Sequence, residues 1–201
     1  AAHMTGARDG RIIRRELLPH LSGPLIVWGT LVGAGVIILE ASLSVLNFGV
    51  RLGTEIVIAF ITLANLFAAV RLVVDILTNN SLYKTNPGGL LAVGGVIWVT
   101  NVVAFGLWYW DLDRGGAAAR AHHPDRNPAF VFPEMQHTEY VAAAWVPRFI
   151  DYLSLAFGTA MAFSPTDTSA IKPWAKLLMM LEAAGSIALA ALVIARAINI
   201  L

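Results

Sequence analysis

Between positions 164 and 168 the chain reads Ser164-Pro165-Thr166-Asp167-Thr168, three hydroxyls and a carboxylate packed around one proline. Oxygen donors this dense suit a cation, because hydroxyl, carboxylate and main-chain carbonyl oxygens can replace part of an ion's hydration shell. Asp167 carries the one full negative charge of the group, and copies of it around a symmetry axis would attract cations. Thr159 and Phe163 lead into the group and complete the candidate pore residues. The same stretch also suits a helix stop. Asp167-Thr168-Ser169 could cap a following helix, with Pro173 early in its first turn.

A second set of polar residues sits inside apolar runs. Glu182, Asn101 and Asn65 fall at similar depth in three such runs. An ionisable group facing lipid costs several kcal/mol, so these side chains should face protein. The reading favoured here is that they support the Ser164–Thr168 segment from behind. Arg71 and Asp75 are four apart and are expected to pair along one helix face. Glu40 stands alone in its run.

Other chemistry finds little footing. There is no cysteine, hence no disulfide and no thiol nucleophile. His122, His123, Asp125, Glu134, His137 and Glu139 offer metal-ligand atoms, but their spacing matches no zinc pattern. No nucleophile elbow, phosphate loop or dinucleotide fingerprint occurs. Neither an enzyme nor a cofactor or metal is expected. The net charge of +1 gives no basic stripe for nucleic acid.

What must position these residues is a membrane-embedded scaffold. Of 201 residues, 57% are hydrophobic and 13% charged, about half the charge of a soluble domain. Four apolar runs are long enough to cross a bilayer as helices: Pro24 to Phe48, Glu55 to Leu77, Leu90 to Trp110, and Leu177 to Leu201. A fifth, Tyr152 to Phe163, is too short to span. Asp151 is its expected N-cap, with Pro147 just upstream. The expectation is a helix that enters the membrane and a non-helical return. Such backbone is tolerated only where protein or a water-filled cavity surrounds it. Ala1-Ala2-His3-Met4 reads as a tag remnant, and the arginines after it lack the apolar core of a signal peptide.

Arg8, Arg11, Arg14 and Arg15 precede the first run and Arg51 follows it, which favours a cytoplasmic N-terminus. Four crossings then place both termini in the cytoplasm, in a multi-pass protein of the inner (plasma) membrane. Trp108, Tyr109, Trp110, Trp145 and Trp174 gather at the outer interface, where indole rings are favoured. The outer loop, 111–148, is long for a membrane connection, and its apolar Phe130-Val131-Phe132 suggests that it packs on something.

The order helix, short helix, non-helical return, helix resembles the pore-loop module of the potassium-channel superfamily. The match is carried by Pro147, Asp151, Tyr152 and Ser154, then Thr159, Ser164-Pro165-Thr166-Asp167, Lys176 and Gly185. The resemblance implies a symmetric oligomer, most simply a tetramer, conducting through a central pore. The filter departs from the family. No glycine occurs from Thr159 through Ala170, and Pro165 fixes its own φ and removes an N–H. Across its length the chain also resembles an uncharacterised bacterial membrane-protein family, through Trp110-Asp111-Leu112-Asp113-Arg114-Gly115-Gly116 and Phe163-Ser164-Pro165-Thr166-Asp167-Thr168. That likeness implies no activity.

The sequence therefore predicts an all-α integral membrane protein with four transmembrane helices and one re-entrant pore helix and loop between the third and fourth. Residues 1–23 form a cytoplasmic segment, 24–78 a peripheral two-helix layer, and 79–201 the pore-loop-like module. The expected function is an ion channel subunit with an altered filter, passing monovalent cations in a homo-oligomer within the lipid bilayer. The alternative is a non-conducting protein of the same fold with a structural or partner-binding role.

Overall fold

The computed structural model describes residues 51–78, 87–123, 125–141, 145–161 and 167–200. The expected first span, 24–48, lies outside the described residues. Three long helices form the frame: α1 (Arg51–Leu77), α2 (Pro87–Leu112) and, last in the chain, α6 (Pro173–Ile200). Between α2 and α6 come α3 (Ala117–His122), β1 (Phe130–Val131), α4 (Pro133–Gln136), α5 (Phe149–Met161) and β2 (Ser169–Ala170). Three of these helices are long and apolar enough to cross a membrane, and α5 is not. Their outward faces carry Ile56, Phe60, Leu63 and Phe67 on α1 and Leu177, Met180, Leu181 and Ile187 on α6, all exposed. Water would not tolerate so much exposed apolar surface, whereas hydrocarbon does.

Several boundaries differ from the hydropathy reading. The helices α1, α2 and α6 begin at Arg51, Pro87 and Pro173, before their apolar runs. A proline at the first helical position is pre-set for the helix and its missing N–H leaves no gap. The short helix runs Phe149–Met161 rather than 152–163. Asp151 is therefore its third residue and not the N-cap. Its Oδ2 accepts the Arg148 N–H at 2.6 Å, satisfying one donor at the helix start. Residues 167–169 likewise do not cap α6, because Ser169 and Ala170 pair antiparallel with Val131 and Phe130. This two-stranded ladder, extended by Ile171 N–H to Ala129 O at 2.8 Å, was not foreseen. Arg71 and Asp75 share a face of α1, but no ion pair joins them among the described residues.

Packing fixes the directions. Thr62 meets Trp108 and Asn65 meets Asn101, so α1 and α2 are antiparallel. Tyr109 meets Glu182 and Asn101 meets Ser186, so α2 and α6 are antiparallel too. Along α5, Phe149 lies on Trp110, Leu153 on Gly106 and Phe157 on Trp98. Hence α5 starts at the Trp110 end and runs beside α2 for roughly 20 Å, its 13 residues rising about 1.5 Å each. Gly106 permits this approach: a Cβ there would lie 3.3 Å from the Leu153 Cα.

Candidate functional site

Two buried polar clusters hold α5 in place. The first is at the Trp110 end. After α2, Arg114, Gly115 and Gly116 adopt φ of 52°, 85° and 95°. Two glycines in succession make this left-handed turn cheap, since they lack the Cβ that resists it. The turn leaves Asp113 pointing inward, fully buried. Its Oδ1 accepts the Ala129 N–H at 2.6 Å, and its Oδ2 accepts the Tyr152 hydroxyl at 2.6 Å. Arg120 donates to the carbonyls of Trp110 and Asp113, the latter at 2.9 Å. Its guanidinium also lies over the rings of Trp110 and Tyr152, 5.8 and 5.2 Å from their centroids. Burial lowers the Arg120 pKa from its ordinary value, while Tyr152 and Asp113 oppose that shift.

Around this node the aromatic residues close ranks. Phe130 lies against Tyr109, Tyr152 and Trp174, and Phe132 against Tyr152 and Trp145. The two phenylalanines alternate along an extended segment, so both reach the core while Val131 faces away from it. The packing expected of Phe130-Val131-Phe132 is present. Asp113 thus joins the end of α2, the loop carrying Ala129 and the first turn of α5 through one carboxylate.

The second cluster runs through the interior of the bundle. Glu182, fully buried on α6, accepts the Tyr109 hydroxyl at 2.5 Å. The Thr159 hydroxyl of α5 sits within reach of the same phenol and donates to Leu155 O at 2.8 Å. One turn along α6, Ser186 accepts from Asn101 Nδ2 at 3.1 Å, and Asn65 Nδ2 donates to Asn101 Oδ1 at 3.2 Å. Glu182 Oε1 and Asn65 Oδ1 are buried with no partner among the described residues. The structure thus links Asn65 and Asn101 with Ser186, and sets Glu182 one turn away on α6, where it bonds Tyr109 instead. Of the candidate pore residues, Thr159 is buried among the helices, Asp167 is exposed and Thr168 is half-buried. Phe163, Ser164, Pro165 and Thr166 lie outside the described residues.

The Asp113 node escaped the sequence reading. Its signal was present in Asp113-Arg114-Gly115-Gly116, an acidic residue ahead of two turn glycines at the end of a span. The partners, Arg120 and Tyr152, are 7 and 39 positions away, beyond the reach of local pattern. Among the described residues no three of His, Cys, Asp and Glu gather as a metal site. His137 lies 3.3 Å from Glu139, and both are exposed. Comparison of the chain with family models, curated proteins and solved structures yields no match.

Proposed function

We propose that this chain is the subunit of a pore-loop ion channel, conducting monovalent cations through the axis of a homo-oligomer, most simply a tetramer. The observation that carries the reading is the course of α5. It begins at the Trp110 end, lies in the angle between α2 and α6, and stops beside Trp98, part of the way along the frame. The next described element, β2, is back beside β1 at the starting end. Seven residues, 162–168, join the two. Extended at about 3.3 Å each they reach roughly 23 Å, enough to retrace α5. A helix in and an extended segment out is the geometry a pore loop needs. The return would carry the oxygen donors of Ser164, Thr166, Asp167 and Thr168 past the axis, with Asp167 nearest the mouth. The Tyr109–Glu182 pair then acts behind α5 at Thr159, as support rather than as lining. In this reading the fourth span is 24–48, both termini are cytoplasmic and the ladder faces outward.

One observation favours a second reading, a non-conducting subunit of the same fold. Among the described residues the polar groups inside the bundle mostly satisfy one another, and a cleft of about 520 Å³ between α2 and α6 is almost wholly apolar. Among the described residues one copy shows no polar path for ions, so conduction would need an axis between copies. The test is ion flux in liposomes of the purified chain against a panel of chloride and sodium salts. Cation flux that responds to substitution of Asp167 supports the channel. A closed oligomer that passes no ion supports the second reading, and a stable monomer removes both the axis and the pore.

A further inference from the structure

At the start of α5 the Tyr152 hydroxyl donates to Asp113 Oδ2 at 2.6 Å. The other carboxylate oxygen accepts the Ala129 N–H, also at 2.6 Å. The carbonyl of that same Ala129 accepts the Ile171 N–H at 2.8 Å. Tyr152, Asp113, Ala129 and Ile171 thus form one line of three hydrogen bonds, which closes the chain from Tyr152 to Ile171 into a ring. The ladder continues it: Ala170 pairs with Phe130 and Ser169 with Val131. Asp167 and Thr168, the last two oxygen donors of the group, stand immediately before that ladder. We propose that Asp113 is a positioning residue for these two donors: through its carboxylate and Ala129 it ties the exit of the segment to the start of α5, so that the two move as one body and set ion preference together. The tie stands on hydrogen bonds alone, whereas its effect on ions rests on the pore-loop reading.

The line is stiff at its centre. Asp113 and Ala129 are fully buried, so bulk water does not compete for the bonds between them. Arg120 donates to the Asp113 carbonyl at 2.9 Å and lies over the Tyr152 ring, which holds both the carboxylate's backbone and the phenol in place. Phe130, next after Ala129, packs against Tyr152 on one side and Trp174 of α6 on the other. A buried donor cannot leave its acceptor without being stranded, so a displacement at one end is passed along the line rather than absorbed.

The two ends can be cut separately. Tyr152→Phe removes the first bond and keeps the ring. Ile171→Pro removes the last, because proline has no N–H. That substitution suits its place: Ile171 is exposed, and Ala170 is already extended in β2, the conformation a following proline demands. Gly94→Ala is the control, since its clash with Val193 lowers stability roughly 28 Å along α2 from Asp113. Asp113→Leu is the less useful variant, as it removes the tie together with the stability of the whole node. The measurement is hydrogen exchange of the full chain in mild detergent, read at single amides. Coupling is reciprocal. Tyr152→Phe should speed exchange at the Ile171 amide, and Ile171→Pro at the Leu153 and Ser154 amides, each on the order of tenfold beyond the change in Gly94→Ala. Ile171 exchange no faster in Tyr152→Phe than in Gly94→Ala, or α5 amides unmoved by Ile171→Pro, overturns the proposal. In a chain that conducts, both cuts should shift the ratio of sodium to potassium flux and Gly94→Ala should not. Coupled exchange with an unshifted ratio overturns the positioning role. Coupled exchange in a chain that passes no ion sinks the pore-loop reading and leaves the tie standing.

Discussion

Asp113→Leu should be among the most damaging single substitutions outside the spans' apolar contacts. The carboxylate is fully buried, and leucine keeps its branching but offers no acceptor and brings bulkier methyls. Removing it strands the Ala129 N–H and the Tyr152 hydroxyl, each a donor that lost a 2.6 Å bond. A stranded buried donor costs about 1–3 kcal/mol. The nearby Arg120 guanidinium, 3% exposed, also loses a negative neighbour. Losing one of the acidic neighbours that offset the burial of this charge adds to this, and the sum is on the order of 5 kcal/mol. At roughly 2–4 °C per kcal/mol for a chain of this length, the melting temperature should fall by roughly 10–20 °C. Tyr152→Phe removes only one of these bonds and should cost about 2 kcal/mol, or roughly 4–8 °C. Because both changes act on one bond, the double variant Asp113→Leu/Tyr152→Phe should melt no lower than Asp113→Leu alone. The assay is thermal melting in a mild detergent, followed by the fluorescence of the tryptophans that ring the node. An Asp113→Leu protein that melts within about 2 °C of the native chain would refute the reasoning, since stranded donors of this kind cannot be that cheap.

Glu182→Gln keeps an acceptor for the Tyr109 hydroxyl and should shift the melting temperature little, whereas Glu182→Leu strands the hydroxyl and should lower it by several degrees. Gly94→Ala should destabilise by about 1–3 kcal/mol, because its Cβ would lie 2.7 and 2.9 Å from the Val193 methyls. Adding Val193→Ala should recover much of that loss, and no recovery in the same melting assay would place the clash elsewhere. If the chain conducts, Asp167→Asn should reduce cation flux most at low ionic strength, where the Debye length of about 10 Å at 0.1 M grows longer. Asp167→Lys should turn the preference towards anions, and unchanged flux and preference in both variants would leave residues 164–168 as a helix stop.

The spans were legible because hydrocarbon imposes one rule along the whole chain: about 20 apolar residues per crossing. The runs 55–77, 90–110 and 177–201 therefore gave α1, α2 and α6 with only their polar ends displaced. The short run was equally legible as too short to span, and its neighbours α2 and α6 are those expected of it. The depth match of Asn65 and Asn101 was legible for the same reason, since polar side chains in spans must find partners, whereas Glu182 found Tyr109. What stayed hidden lay outside the hydrocarbon rule. The loop 111–148 obeys ordinary globular packing, in which Asp113 selects partners by three-dimensional proximity. A two-residue ladder such as Phe130–Val131 with Ser169–Ala170 carries no periodicity to detect. Arg71 and Asp75 show the converse error: spacing of four allows a pair but does not compel one where both side chains have other directions to take.

Helix α5 is held unequally along its length, and that bears on how it could work. At its first turn, Tyr152 is bonded to Asp113 and stacked by Phe130 and Phe132, and Arg120 lies over its ring. Near its last turn the polar anchor is Thr159, whose hydroxyl turns back to its own helix at Leu155 O. Among the described residues, Met161 stands over a cleft lined by Leu91, Trp98 and Ile194. The face made by Ile150, Ser154, Phe157 and Met161 is exposed along the whole helix. One end of α5 is thus fixed by a charged and aromatic clamp, while the other rests on whatever fills the cleft and covers the free face. Stability lost at the clamp should unseat the helix as a unit. Changes at the cleft or on the free face should instead alter the position of its C-terminal end, where residues 162–168 begin, with little effect on melting. That division separates substitutions that destroy the fold from those that tune the segment carrying the oxygen donors.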